Sequence, residues 1–425
     1  MPVLDWIGKQ AVCSHHLQVA CRSLKRDDRH SVDNPQAQPG EGLDENMLVQ
    51  ADNLLALKAL LPHFAGRVKC VYIDPPYNTG RGDWIYNDAV DSPPMRVWLR
   101  ELAGSKADEM SRHDKWLCMM YPRLELLKEL LHPEEGLIFV SVDDTEAAHL
   151  RLVMDEVFGA ANWLATLTRR AMHTVRNSSR DFNANTDYVV AFARNKAWFG
   201  AERARYLRVP ADKTSAYPHD DQDGKGAYKL DPLHARNYYR PYQHVFGNGM
   251  CWSAPPGTYP RYAVETLRRM EADGGISFNG RRPRAKRYLS QVQAGRPPDT
   301  LLSPKDVGFN KDGTVLLREM LGGGAFPQPK PLKLIQYLLS MVRDPEAIVL
   351  DSFAGSGTTG HAVLAMNHAD GGQRRFILVE VEPDIARQVT ARRLELAIRG
   401  YTPTTNGSAA VAGLGGSFGY YTLAE

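Results

Sequence analysis

The stretch VKCVYIDPPYNTG, residues 68–80, decides how the rest of the chain is read. An apolar run suited to a buried strand stops abruptly at Asp74, Pro75, Pro76 and Tyr77. Prolines end strands because they fix φ and bring no N–H to a ladder, so punctuation explains part of the pattern. The same residues also gather a carboxylate, carbonyls without a competing local N–H, and an aromatic face at one strand end. That is the material of a small catalytic cup, with Asn78 placed to brace the loop.

Outward from this stretch the chain alternates strands and helices. Helical spacing marks NLLALKALL (53–61), WLCMMYPRLELLKELL (116–131), EAAHLRLVMDEVF (146–158), PLKLIQYLLSMV (331–342), GTTGHAVLAMN (357–367) and PDIARQVTARRLELAI (383–398). Strands are expected at 68–73, GLIFVSVDD (136–144), DYVVAFARN (187–195), AIVLD (347–351) and RFILVEV (375–381). Several end in acids, so the pattern predicts an α/β doubly wound, Rossmann-like sheet with ligands at the carboxyl ends of its strands. Residues 196–325 break the rhythm: rich in Pro, Gly, Tyr and Arg, with one clear helix near 261–272, they read as an irregular, largely β insertion. Residues 1–45 read as a flexible arm. The tail 403–425 is Gly/Ser/Thr-rich, although YYTL could add an edge strand.

The net charge of +3 conceals an uneven distribution. Residues 165–300 carry 23 Lys/Arg against 12 Asp/Glu, whereas the flanks together are acidic. A basic middle suggests a segment that meets a polyanion, with a solvated basic surface as the plain alternative. No apolar run approaches membrane-spanning length, and MPVLDWIGKQ lacks signal-peptide character. Five scattered cysteines without CxxC spacing point to reduced thiols and a cytosolic compartment. Cys13, His15, His16 and Cys21 lie close in sequence, but no second ligand pair at zinc spacing accompanies them, so no metal is expected.

A second stretch, AIVLDSFAGSGTTG (347–360), carries a strand to Asp351, a turn through Phe353, Ala354, Gly355, Ser356 and Gly357, and a helix entered at Thr358. Such a turn brings backbone close to a ligand at a helix N-terminus. No Lys precedes the Thr pair, so a P-loop is not supported. Glu380 ends the next strand, 25 residues after Gly355, where a Rossmann-like acid binds ribose hydroxyls. A Gly turn with a ribose acid and no pyrophosphate loop suits an adenosine bearing a charged amino-acid tail, which describes S-adenosylmethionine (SAM).

Taken together, DPPY and FAGSGTT in this order resemble the β class of amino-methylating DNA methyltransferases. ADNLLALKALLPHFAGRVKCVYIDPPYNTG, SVDDTEAAHLRLVMDEVFG, FNGRRPRAKRYL and FPQPKPLKLI are similar to segments of type III modification subunits and their solitary relatives. The resemblance spans most of residues 46–400. It implies a circularly permuted methyltransferase: a catalytic half at 46–195, a target-recognition, DNA-binding insertion at 196–325, and a SAM-binding half at 326–402. The unit at 49–57 would then complete the sheet from the N-terminal side. Asp52 would face the adenine of SAM, or simply cap its helix.

The resemblance further implies site-specific N6 methylation of an adenine flipped out of double-stranded DNA. Asp74 and Pro75 would accept the amine hydrogens, Pro76 would shape the loop and Tyr77 would stack on the base. Phe353, Ala354, Gly355, Ser356, Gly357 and Thr358 would line SAM, with Asp351 near its amino group and Lys330 on its carboxylate, or merely on the surface. Asp143 and Asp144 are expected to brace a loop. Phosphate contacts would come from Arg281, Arg282, Arg284, Lys286 and Arg287, and from Arg169 and Arg170 with Arg176 and Arg180. Trp84 and Tyr86 would hold the opened duplex or pack their loop. Asp rather than Ser opening the motif favours adenine; cytosine-N4 or RNA methylation is the rival within enzymes. A catalytically inactive DNA-binding regulator is the rival from outside. β-class relatives commonly pair, which implies a homodimer. The length is short for a type III modification subunit, which leaves a restriction partner doubtful. The location implied is the cytoplasm, at the nucleoid, of a bacterial or phage system.

Overall fold

The computed structural model describes residues 4–33, 43–79, 93–173, 182–202, 206–209, 216–291, 295–404 and 409–424. The chain divides into two compact units, one formed by Met1–Leu207 with Pro298–Glu425, the other by Arg208–Pro297.

Among the described residues, the first unit is built on a ten-stranded sheet. In chain order its strands are β1 (Leu24–Arg26), β2 (Met47–Gln50), β3 (Val68–Ile73), β4 (Leu137–Val142), β5 (Trp163–Arg170), β6 (Thr186–Ala193), β7 (Leu301–Leu302), β8 (Ile348–Asp351), β9 (Arg375–Glu380) and β10 (Gly419–Leu423). The helices that matter for the site are α1 (Asn53–Phe64), α2 (Arg112–Leu130), α3 (Ala147–Met154), α4 (Asn310–Leu321), α5 (Leu332–Leu339), α6 (Thr358–Asp370) and α7 (Arg392–Arg399).

The spatial order is β1-β10-β2-β9-β8-β3-β4-β6-β5-β7. The six strands from β10 to β4 run parallel, and β6 runs antiparallel to both its neighbours. Parallel strands covered on both faces must be apolar throughout. Accordingly, every residue of β4 and β8 is buried, and α2 packs Trp116, Leu124 and Leu127 into the same core as Val71, Ile138 and Val140.

β2 lies beside β9, with Gln50 opposite Glu380, so the N-terminal unit does join the sheet there, although β10 and β1 extend it further. At the β8–β3 pair the chain leaves in opposite directions. After β3 it proceeds to α2 and β4; after β8 it passes through α6 to β9 on the other side. Such a switch point opens a crevice at the carboxyl ends of the two strands.

Three boundaries differ from the sequence reading. Much of the expected flexible arm is built into the fold: Trp6 and Val12 join the main core, Ile7 receives a hydrogen bond from Cys118, and β1 pairs with β10. The arm's polar composition concealed these few apolar anchors. The tail likewise supplies β10, an interior strand with Tyr420 and Tyr421 buried. The insertion is narrower than 196–325, because β7 and α4 belong to the first unit.

The second unit holds a three-stranded antiparallel sheet of Tyr228–Pro232, Arg284–Tyr288 and Ile276–Ser277, and a helix at Val264–Ala272. Leu233, Phe246, Trp252, Leu267 and Ile276 form its core. Among the described residues no helix of the protein is long and apolar enough to cross a membrane.

Candidate active site

The crevice at the switch point holds a cavity of about 560 Å³ that brings both sequence motifs together. Asp74, Pro75, Pro76 and Tyr77 line it from the end of β3, and Asp351, Phe353 and the following turn line it from the end of β8. Positions almost 280 apart in sequence thus share one chamber because their strands are neighbours.

The loop after β3 is held from below. Buried Trp116 of α2 donates its indole N–H to the Pro76 carbonyl at 2.7 Å. Asn78, buried and in the left-handed region (φ 60°), donates to the Arg112 carbonyl at 3.1 Å and to the Glu146 carboxylate. The Pro75 carbonyl accepts no hydrogen bond from the described residues. Burial, reinforced by the Asp74 carboxylate, pushes the Tyr77 phenol well up, so it keeps its proton.

Lys330 departs from its expected role. Its Nζ lies 2.8 and 2.7 Å from the two Asp74 oxygens, 2.6 Å from the Tyr77 hydroxyl and 4.8 Å from the centre of the Tyr77 ring. It is neither a surface lysine nor, in this arrangement, free for a methionine carboxylate; it belongs to the cup.

The glycine turn is held from β9 and the helix beyond it. Glu380 accepts from the Gly355 N–H (2.9 Å) and the Glu382 N–H (3.0 Å), and Thr390 donates to the Gly355 carbonyl at 2.6 Å. Gly355 has φ 50°, and a Cβ there would meet the Phe326 ring at 2.9 Å, so glycine is required by both backbone and neighbour. Beneath the turn, buried Arg393 donates to the Ser356 and Thr358 hydroxyls at 3.0 and 2.7 Å. Burial pulls its guanidinium down to about 9.

Asp351 is buried, accepting from the Thr359 hydroxyl and from the Phe353 N–H at 3.0 Å. Burial raises its carboxyl to about 7, with Asp74 and Glu380 adding to the rise and those two hydrogen bonds opposing it. Asp52 caps α1 through the Leu54 and Leu55 N–H groups and pairs with Arg123 at 3.2 Å, outside the cavity lining.

Among the basic residues, Arg169 requires correction. It is fully buried, grips Asp187 through Nε and Nη2, and also reaches Asn310. Burial opposes its charge, but Asp187 outweighs that and holds the guanidinium above its ordinary value. A residue so enclosed offers nothing to a phosphate. Arg170 is exposed, donating to the Met172 and His173 carbonyls. Arg281, Arg282, Arg284 and Arg287 are exposed on the second unit, whereas Lys286 is half-buried against Asp221 at 2.6 Å. Arg287 approaches Asp231 at 3.7 Å. Arg176, Arg180, Trp84 and Tyr86 lie outside the described residues.

Asp144 accepts from Tyr188, and Asp143 accepts from the Thr145 N–H, both as loop braces. Sequence reasoning missed Thr186, Asp187, Asn310 and Phe326, all of which line the cavity.

The family model described as "DNA methylase", of N6 and N4 methyltransferases, matches residues 68–391. The StyLTI Mod subunit of a type III restriction-modification enzyme from Salmonella typhimurium is 31% identical over 82% of this chain and 54% of its own length. The EcoPI Mod subunit from Escherichia phage P1 is 28% identical over 86% and 64%. The type II methyltransferase M.KpnI from Klebsiella pneumoniae is 27% identical over 79% and 80%. The chain thus spans between half and two thirds of these Mod subunits. Among solved structures, PvuII DNA methyltransferase (cytosine-N4-specific) aligns over 86% of this chain and 89% of its own at 12% identity and a TM-score of 0.42. With a family match across three quarters of its length that takes in both walls of the crevice, the chain belongs to the N6/N4 DNA methylase family.

Proposed function

We propose that the chain is a SAM-dependent, site-specific DNA methyltransferase acting on N6 of an adenine swung out of double-stranded DNA. The observation that carries this is the meeting of DPPY and the glycine turn in one cavity of about 560 Å³. When bound, SAM would supply an electrophilic sulfonium methyl. Phe353 and the turn through Thr358 would hold it, and Asp351 is the acid available to its ammonium group. The Asp74 carboxylate and Pro75 carbonyl would each accept one N6 hydrogen and orient the amine, where alignment supplies much of the acceleration. Tyr77, protonated and half-buried, would stack on the base, a contact worth about 1–3 kcal/mol. Transfer of tritiated methyl from SAM to duplex DNA, with N6-methyladenine as product, tests the reading. N4-methylcytosine, or activity on RNA alone, overturns it. A homodimer in the bacterial cytoplasm belongs to the same proposal.

Asp351 makes cofactor binding pH-dependent. Its folded value of about 7 lies above the ordinary 3.8, so its stabilising contribution is complete below about pH 4 and is lost as pH rises through 7. A cationic ligand partner needs the ionised form. SAM affinity should therefore fall about tenfold per pH unit below pH 7, and Asp351→Asn should flatten that slope; calorimetric titration from pH 5.5 to 8 measures both.

The second unit is the proposed DNA-contact surface. Replacing Arg281, Arg282 and Arg284 together by Gln should reduce the slope of log K against log salt by about 2–3, as loss of three phosphate contacts requires. Binding isotherms on plasmid fragments between 50 and 300 mM salt measure it; an unchanged slope removes these arginines from the interface.

A further inference from the structure

Beneath the cup lies a side-chain cluster that neither motif includes. Glu146, fully buried at the start of α3, accepts Nδ1 of His113 from α2 at 2.8 Å and Nδ1 of His149 from α3 at 2.8 Å, and also the Asn78 amide. The two imidazoles lie 4.9 Å apart. Asn78 immediately follows Tyr77 and sits at φ 60°, in the left-handed region that Asn adopts more readily than most other non-glycine residues. On the other side of Tyr77, Trp116 fixes the Pro76 carbonyl. The first turns of α2 therefore clamp the backbone on both sides of Tyr77: Trp116 holds the Pro76 carbonyl, and Asn78 donates both to the Arg112 carbonyl at 3.1 Å and to Glu146, which His113 holds in turn.

We propose that Glu146 is a positioning residue for the target-base cup: aligned by His113 and His149, its carboxylate holds Asn78 and thereby sets Tyr77 against the flipped base. The donor atoms of His113, Glu146 and His149 lie within 4.8 Å of one another, a spacing that a metal ion could bridge. The hydrogen-bonded form is favoured because both carboxylate oxygens already carry imidazole nitrogens and the Asn78 amide occupies one of them as well. A cation would have to displace that amide from the carboxylate.

This inference rests on the proposed methyltransferase reading. The test uses the full chain, tritiated SAM at saturation and plasmid DNA grown in a methylation-free host, under single-turnover conditions. Glu146→Gln turns one acceptor into a donor facing N–H groups. It should slow methyl transfer about 30- to 100-fold, the cost of a small misplacement at a reacting centre, while SAM affinity changes less than about twofold. Asn78→Ala, which loses the Arg112 contact as well, should show the same signature and be at least as slow, and the double variant should be no slower than Asn78→Ala, because Glu146 acts on the loop through Asn78. If Glu146→Gln does not fold, His149→Ala, which only removes a donor, should show the same split at about fivefold to tenfold.

Multiplying effects in the double variant, or an unchanged rate in Glu146→Gln, would overturn the proposal. One equivalent of zinc held by the wild-type chain and lost in Glu146→Gln, with transfer abolished by chelation, would overturn it in favour of a metal site. A wild-type chain that transfers no methyl at all would instead bring down the methyltransferase reading, and this inference with it.

Discussion

Replacing Asp74 by Ala should lower methyl transfer about 10²- to 10³-fold while leaving SAM affinity within about threefold. Asp74 is the carboxylate at the end of β3, and the cofactor turn is carried by β8, so the loss falls on only one wall of the cavity. A group aimed at developing charge in an enclosed site is worth about 3–4 kcal/mol by deletion. Rapid-quench assays with calorimetric SAM binding separate the two terms. Equal turnover by Asp74→Ala would remove Asp74 from the catalytic cup, whereas a wild-type chain that binds duplex DNA and transfers no methyl would favour a DNA-binding regulator. Lys330 sharpens the test, since its ammonium bonds both Asp74 oxygens and the Tyr77 hydroxyl and so orients the groups that would meet the base. Lys330→Met should slow transfer about tenfold or more through loss of Asp74 and Tyr77 alignment, with a smaller effect on SAM affinity. A predominant loss of SAM affinity would return Lys330 to the cofactor's carboxylate.

The second large effect concerns stability. Asp187→Ala should destabilise the protein by about 3–5 kcal/mol, because it strands the Arg169 cation without its carboxylate in a site with no solvent exposure. The two residues face each other directly across β5 and β6, and Arg169 also reaches Asn310 of α4. Arg169→Met with Asp187→Leu should cost markedly less than Asp187→Ala alone, since removing both charges also removes the desolvation burden. Urea denaturation of the three proteins decides it. A mild effect in Asp187→Ala would mean that water reaches Arg169.

How much of this was legible in the sequence follows from what each signal encodes. The parallel core could be read because strands buried on both faces are continuous apolar runs, and the two motifs could be read because each sits at the end of such a run. Asp187 could not be found that way. The rule that ligands gather at carboxyl ends picks out where strands finish, yet β6 is antiparallel to β4, so its first residues lie at the functional edge. Orientation is decided by pairing, which local sequence does not state. Arg169 failed for a related reason: adjacent to exposed Arg170, it points to the opposite face, and a charge count treats the two alike. Glu146 begins a stretch of helical spacing, but only the fold places it under Asn78.

The position of β2 also bears on how the protein is made. Met47–Gln50 pairs on one side with Ile377–Glu380 and on the other with Gly419–Thr422. An apolar strand synthesised early must wait for partners more than 300 residues downstream. At about 5–20 residues per second, that interval lasts roughly 15–70 s on the ribosome. Throughout it the nascent chain carries a sticky, unmated segment, and closure of the sheet by such distant pairings is intrinsically slow. Folding half by half is closed to this strand: its place in the sheet exists only once the strands that flank it on both sides have been made.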